Sequence, residues 1–194
     1  MGKMFLMCGM SGAGKTTFAK QFAAENGCVY LGIDEFYSKY SKRIGLKNVY
    51  DNSNVAFRVW IEFFNEIHFY ETEGKDVVVD TNAPTFVKRA QFIDWFPTFE
   101  EHNLIYIHAD RNLRRRNNAS RNRVVPDDVM EKMEKEFEYP ITKCLWSDKF
   151  PFMVNTKHRE SFGLWDNVRV FVNKDNVLTE VPTLQESNQA EAFE

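Results

Sequence analysis

The chain has 194 residues, of which 43% are apolar and 27% charged, and its formal net charge is −3. These values are typical of a globular domain and exclude a disordered chain, a collagen-like fibre and a disulfide scaffold. The three cysteines form no cluster with histidine, so we expect no zinc, no disulfide and a reduced, cytoplasmic setting. No apolar run approaches the roughly 18 residues of a membrane helix, so no membrane partner is expected.

The charges are unevenly distributed along the chain. Residues 180–194 hold four glutamates and no Lys or Arg, which leaves 24 acidic and 25 basic residues in the rest of the chain. Six of the 11 arginines fall within residues 111–123, which we call the arginine segment. The sequence therefore predicts one domain over residues 1–179, a polar tail over 180–194, and a local basic cluster that suits an anionic ligand.

Short apolar strands alternate with helical patterns along the chain. Strands are predicted at residues 3–8, 28–33, 77–79 and 104–107, with a short fifth strand at 152–154. Helices are predicted at residues 15–26, 34–44, 54–73, 85–101 and 127–139, with a last helix or strand near 165–171. Because the strands are continuous apolar runs, the pattern predicts an α/β fold, a parallel sheet covered by helices on both faces.

A glycine-rich loop, residues 9–16, follows the first predicted strand and precedes the first helix. Its sequence GMSGAGKT matches GxxxxGK[ST], the P-loop motif, in which backbone N–H groups and a helix N-terminus bind phosphate oxygens. Lys15 is expected to bridge the terminal phosphates, and the Thr16 hydroxyl to bind Mg²⁺. The alternative is a chance glycine turn. The predicted nucleotide contacts are Gly9, Ser11, Gly12, Ala13, Gly14, Lys15, Thr16 and Thr17.

Carboxylates end the second and third predicted strands, where ligands bind in open α/β sheets. Asp34 is placed to take the proton of a hydroxyl acceptor, although it could instead cap the next helix. Asp80 could hold Mg²⁺ or orient the acceptor, and its alternative role is that of a turn residue.

The arginine segment follows the fourth predicted strand. Arginine binds phosphate in a bidentate manner, so we predict a lid over the terminal phosphate, with Arg116 and Arg121 as the catalytic candidates. The alternatives are a solvated basic face and a nucleic-acid patch. Arg58 and Arg89 lie on the helices that flank the third strand, where they contact the acceptor or form surface salt bridges.

These residues, in this order, resemble the P-loop kinases of the polynucleotide-kinase type, a group that includes AAA-type kinases and is similar to the zeta-toxin and chloramphenicol-phosphotransferase kinases. The resemblance spans about residues 3–140. It rests on the P-loop, on Ile33-Asp34-Glu35, on Val79-Asp80-Thr81-Asn82, and on the pieces Arg116-Asn117 and Val125-Pro126.

The resemblance implies a sheet of order 2-3-1-4-5, ATP with Mg²⁺, Asp34 as general base, and Lys15 and a lid arginine as phosphate clamps. The predicted acceptor contacts are Asp34, Tyr37, Arg58, Asp80 and Asn82. The polynucleotide kinases carry an arginine three residues after the base, where this sequence has Tyr37.

The sequence thus predicts an ATP-dependent kinase that transfers the γ-phosphoryl group to a hydroxyl, preferably the 5′-hydroxyl of a nucleic acid. One alternative is a small-molecule kinase acting on a sugar nucleotide, nucleoside or antibiotic. The other is a nucleotide-binding regulatory module without transfer chemistry.

Overall fold

The computed structural model describes residues 1–45, 53–121, 123–140, 146–147, 150–151 and 164–181. Its strands are β1 (Lys3–Cys8), β2 (Val29–Gly32), β3 (Val77–Asp80), β4 (Glu101–Ala109), β5 (Trp146–Ser147), β6 (Phe150–Pro151), β7 (Asn167–Lys174) and β8 (Val177–Val181). Its helices are α1 (Lys15–Asn26), α2 (Ile33–Ile44), α3 (Ser53–Thr72), α4 (Phe86–Trp95), α5 (Arg111–Ala119) and α6 (Asp127–Glu136).

Six strands form one sheet in the order β2-β3-β1-β4-β7-β8, while β5 and β6 pair separately. The pairs from β2 to β7 are parallel, which confirms the α/β fold. The order is close to the predicted 2-3-1-4-5 and differs in that β7, not the strand predicted at 152–154, takes the fifth position and β8 follows it. The predicted fifth strand at 152–154 lies outside the described residues. The prediction lacked β8, which pairs antiparallel with β7 across a turn whose residues Asp175 and Asn176 have φ of 52° and 66°.

Helices cover both faces of the sheet. One face packs against α2, α3 and α4 through a core rich in aromatic rings, and the other packs against α1 and α5. The central strand β1 alternates between the two cores, since Met4 and Leu6 belong to the first and Met7 to the second. Burial on both faces explains why this strand is a continuous apolar run in the sequence.

Local sequence signals set the ends of the helices. The helix predicted at 85–101 ends at Trp95, just before Pro97, and residues 101–109 join β4 instead. Thr85 caps the start of α4 by accepting a hydrogen bond from the Lys88 N–H at 3.3 Å. Asp110 caps α5 in the same way, accepting from the Leu113 N–H at 2.9 Å.

The ends of the parallel strands meet at one side of the sheet, its carboxyl edge. The P-loop follows β1 there, α2 follows β2, and α5 follows β4. Gly32 pairs with Asp80 between β2 and β3, which brings Asp34 to the same edge as Asp80. The topology therefore assembles residues that are far apart in sequence, as expected for ligand sites in this class of fold.

Candidate functional site

The P-loop has the backbone that its glycines permit. Gly12 and Gly14 have φ of 81° and 101°, a region that other residues rarely adopt. A Cβ on Gly14 would lie 2.8 Å from the Asn173 amide, and one on Gly12 would collide with the Arg114 carbonyl. The first helical bond of α1 joins the Phe18 N–H to the Gly14 oxygen at 3.1 Å, so the N–H groups before Phe18 lie at the helix N-terminus, where anions bind.

Lys15 lies within the loop rather than in solvent. Its ammonium donates to the carbonyl oxygens of Gly9 at 2.7 Å and Met10 at 3.2 Å. Burial lowers the pKa of Lys15 below its usual range, and the charges of Asp80 and Asp34 oppose that shift. The side chain is thus partly buried and close to both carboxylates, in a position suited to a phosphate oxygen.

Thr16 and Asp80, the two predicted metal ligands, are in direct contact. The Thr16 hydroxyl donates to Asp80 Oδ2 at 2.6 Å, and the Tyr30 hydroxyl donates to the same oxygen at 3.2 Å. Burial, with the nearby Asp80 charge, raises the pKa of Tyr30 well above its usual range, so the phenol remains a donor. A hydroxyl and a carboxylate are hard oxygen ligands of the kind that Mg²⁺ takes alongside phosphate and water, so the pair fits that ion.

Asp34 lies exposed in the first turn of α2, at the carboxyl edge. It is not the helix cap, because Gly32 occupies that position and no side chain caps the helix there. The capping alternative is therefore wrong. Acidic residues are common in the first turn of a helix, so Asp34 suits this position.

The other predicted acceptor contacts are spread along the same edge and beyond it. Tyr37 is buried on α2, where its hydroxyl is hydrogen-bonded to Trp60, and Asn82 is exposed just after β3. Arg58 is exposed on α3. Arg89 is fully buried and donates to the carbonyl oxygens of Ala83 and Glu138 at 2.9 and 2.8 Å. Arg89 is therefore neither an acceptor contact nor part of a surface salt bridge.

Most of the arginine segment binds carboxylates. Three of its arginines bind two glutamates of α6; the pairs are Arg111 with Glu131 and Glu134, Arg114 with Glu134, and Arg115 with Glu131. Arg114 is buried, and its Nε also donates to the Ala109 oxygen at 3.1 Å. These three arginines therefore join α5 to α6.

The two predicted catalytic arginines lie in different surroundings. Arg116 pairs with Asp175 in the β7–β8 turn at 2.8 Å, with both side chains largely exposed. Arg121 extends to the P-loop, where its Nη1 donates to the Ser11 hydroxyl at 3.2 Å. Arg121 is therefore already next to the loop that would hold phosphate, whereas Arg116 is held by a carboxylate.

Sequence reasoning missed two amides at the P-loop. Asn117 Nδ2 donates to the Gly12 oxygen at 2.9 Å, and Asn173 Nδ2 donates to the Ala13 oxygen at 2.8 Å. Asn117 adjoins Arg116 in the sequence, but Asn173 is 160 residues from its partner and is brought to it by the pairing of β4 with β7. Asn117 lies in the piece Arg116-Asn117 of the resemblance, which assigned it no role, and Asn173 lies in no motif.

Two features are absent from the described residues. These residues contain no helix that is long and apolar enough to cross a membrane. They also contain no group of three or more His, Cys, Asp or Glu side chains that could hold a metal ion. Cys144 lies outside the described ranges.

Comparison with solved structures shows the same fold in several kinases and related proteins. A sugar kinase from Janibacter sp. HTCC2649 is 14% identical, with a TM-score of 0.52 over 76% of this chain and 82% of the other. A chain of the Pnkp1/Rnl/Hen1 RNA repair complex is 15% identical, with a TM-score of 0.60 over 70% and 43%. Kti12 from Chaetomium thermophilum, solved with ADP-AlF3, is 15% identical, with a TM-score of 0.53 over 79% and 89%.

The model of the AAA domain family matches residues 4–140, which hold the P-loop, Asp34, Asp80 and the arginine segment. Since this match covers well over half of the chain, the protein belongs to the AAA domain family, and its fold is that of a P-loop kinase.

Proposed function

We propose that this protein is an ATP- and Mg²⁺-dependent kinase that transfers the γ-phosphoryl group to a hydroxyl acceptor. The observation that carries the proposal is the convergence of Lys15, the Thr16–Asp80 pair and Asp34 at one edge of the sheet. In phosphoryl transfer the protein supplies position and charge more than covalent chemistry, and these residue types supply both.

Each residue has a distinct role in this proposal. Lys15 leaves the Gly9 and Met10 oxygens to bind the terminal phosphates, and Arg121 adds a second cation from the side of Ser11. Thr16 and Asp80 would hold Mg²⁺, which neutralises developing charge on the phosphate oxygens when bound. Asp34 accepts the proton of the acceptor hydroxyl as its oxygen attacks.

Our preferred acceptor is the 5′-hydroxyl of a nucleic acid. It is supported by the sequence resemblance to polynucleotide kinases and by the fold shared with a chain of an RNA repair complex. A small-molecule acceptor is the second candidate, and the pairing of arginines 111, 114 and 115 with glutamates favours it, because those charges are neutralised within the protein. We further infer a reducing, cytoplasmic setting, supported by the thiols of Cys8 and Cys28, which form no disulfide in the described residues.

Substitution of Asp34 tests the transfer chemistry. We expect Asp34→Ala to lower kcat by about 10²–10⁴-fold, because general-base catalysis contributes that much, while ATP binding is unchanged. The measurement is transfer of radiolabelled γ-phosphate in parallel reactions that offer a 5′-hydroxyl oligonucleotide, nucleosides and sugar nucleotides as acceptors.

Glu35→Ala is the matched control, since Glu35 lies next to Asp34 but pairs with Lys20 at 2.6 Å. Its turnover should stay near that of the wild type. Normal transfer by Asp34→Ala would refute the general-base role. A wild-type protein that binds nucleotide without transferring phosphate to any of the acceptors would favour a regulatory module.

A further inference from the structure

Two side-chain amides bind adjacent carbonyl groups of the P-loop from outside the loop. Asn117 on α5 donates to the Gly12 oxygen at 2.9 Å, and Asn173 on β7 donates to the Ala13 oxygen at 2.8 Å. The two donors thus come from different elements and converge on consecutive residues of one loop. The roles proposed above for Lys15, Thr16, Asp34, Asp80 and Arg121 do not include them.

Each amide is held in place. Asn117 Nδ2 also donates to Asn176 Oδ1 at 2.9 Å, so both of its amide hydrogens have acceptors. Asn173 is only 4% exposed, and its Oδ1 has no hydrogen-bond partner among the described residues. A buried acceptor without a partner costs stability, so the amide at this position is explained best by what its donor does at Ala13.

The two contacts fix the orientation of two peptide groups. A peptide group is planar and trans, so its C=O and its N–H point in opposite directions. Holding the Gly12 oxygen therefore orients the Ala13 N–H, which donates to the Met10 oxygen at 3.2 Å, and holding the Ala13 oxygen orients the Gly14 N–H. The Gly14 N–H lies directly before α1, where the P-loop faces its ligand.

Glycine makes such support necessary. Gly12 and Gly14, with φ of 81° and 101°, lack the side chains that would restrict the backbone, so the peptide groups between them can rotate when nothing holds them. A loop that must be ordered when its ligand arrives binds more weakly than one that is already ordered.

We propose that Asn117 and Asn173 form an amide clamp, a pair of positioning residues that shape the P-loop for the β-phosphate of a nucleotide before the nucleotide binds. The inference rests on the proposed kinase function and deepens it at the nucleotide site. It predicts a larger effect on ligands that carry a β-phosphate, because the backbone N–H groups of this loop bind the α- and β-phosphates and a ligand without the second offers only one of them.

The test compares the dissociation constants of ADP and AMP, measured by titration calorimetry on the full chain. In Asn117→Ala and in Asn173→Ala we expect the affinity for ADP to fall about tenfold, while that for AMP changes less than about twofold, because AMP lacks the β-phosphate. The ratio of the two dissociation constants is the readout, since a general loss of stability would weaken the binding of both nucleotides together.

Asn103→Ala is the matched control. Asn103 is also a buried amide that donates to a backbone oxygen, that of Met4 at 3.3 Å, but it lies near the start of β4, away from the carboxyl edge. This variant should lower the melting temperature and leave the ADP to AMP ratio unchanged.

Two results would overturn the amide clamp. One is an affinity for ADP and for AMP that stays unchanged in both variants, and the other is an equal loss for the two nucleotides; either leaves the ADP to AMP ratio as in the wild type. A wild-type protein with no preference for ADP over AMP would refute the proposed nucleotide site together with the clamp. A wild type that prefers ADP, with variants that keep that preference, would refute the clamp alone. None of these measurements requires an acceptor, so they do not depend on which hydroxyl is phosphorylated.

Discussion

His108, at the end of β4, is a partly buried histidine among polar neighbours. Its Nδ1 lies 3.1 Å from the hydroxyl of Tyr106, and burial together with the charge of Arg114 lowers the pKa of His108 to about 4, against a smaller opposing effect of Asp110. The neutral imidazole is therefore the form that the folded protein accommodates. The four histidines are scattered along the sequence, which does not indicate the direction of this shift.

The depressed pKa predicts a pH-dependent stability. Because the unfolded chain binds a proton at His108 near pH 6.5 and the folded chain only near pH 4, the stabilising effect is complete above pH 6.5 and is lost as the pH falls towards 4. At pH 5 the loss amounts to about 2 kcal/mol. Between pH 7.5 and pH 5, the free energy of unfolding measured with urea should therefore decrease less for His108→Gln than for the wild type, and the difference should be about that amount. Equal decreases would contradict the shift.

At the scale of elements, Arg89 joins α4 to the segment that follows α6. Besides its bonds to the Ala83 and Glu138 oxygens, the guanidinium lies 5.9 Å from the ring centre of Phe137. The Glu138 side chain accepts from the Phe86 N–H at 2.6 Å, at the first residue of α4. The buried Arg89 therefore anchors α4 and the segment that follows α6 to each other.

Replacing Arg89 should be costly. We expect Arg89→Met to lower the free energy of unfolding by about 2–4 kcal/mol, because a buried and a partly buried carbonyl oxygen lose charged donors. Arg115→Met is the control, since Arg115 is exposed and its pair with Glu131 is 3.5 Å long, and it should change stability by less than about 1 kcal/mol. Urea unfolding of both variants checks the difference, and similar losses would contradict the anchoring role.

The sequence predicts the elements better than it predicts their contacts. Apolar periodicity located α1 to α4, because those patterns arise from burial within each element. The strand β8 was missed because its burial alternates weakly and its pairing depends on the positive φ of Asp175 and Asn176. The amide of Asn173 could not be predicted, because its partner is determined by sheet order alone.

For the whole molecule, the arginine segment carries less unneutralised charge than its composition indicates. Four of its six arginines pair with carboxylates of α6 or of the β7–β8 turn. The local clustering of basic residues was therefore a correct observation, but the sequence could not show that acidic partners come from elsewhere in the fold. The basic face that a nucleic acid would contact is accordingly small.

This charge distribution predicts a moderate salt dependence if the acceptor is a nucleic acid. With two or three phosphate contacts, the affinity for a 5′-hydroxyl oligonucleotide should fall by about tenfold between 50 and 200 mM salt, as condensed counterions are released. Fluorescence anisotropy over that range measures it, and a nucleoside serves as the uncharged control. Salt-insensitive oligonucleotide binding would favour a small-molecule acceptor.

The hydrogen bond between Thr16 and Asp80 has a further consequence. Lys15 donates to loop carbonyl oxygens and Arg121 donates to Ser11, so these groups already have hydrogen-bond partners within the protein. A ligand that binds here therefore replaces existing hydrogen bonds rather than adding new ones. A cation at the proposed metal site would meet a Thr16 oxygen that still has lone pairs, because the hydroxyl hydrogen is already donated to Asp80. In the proposed kinase, the pair would therefore add its oxygens to those that the nucleotide phosphates bring with the metal.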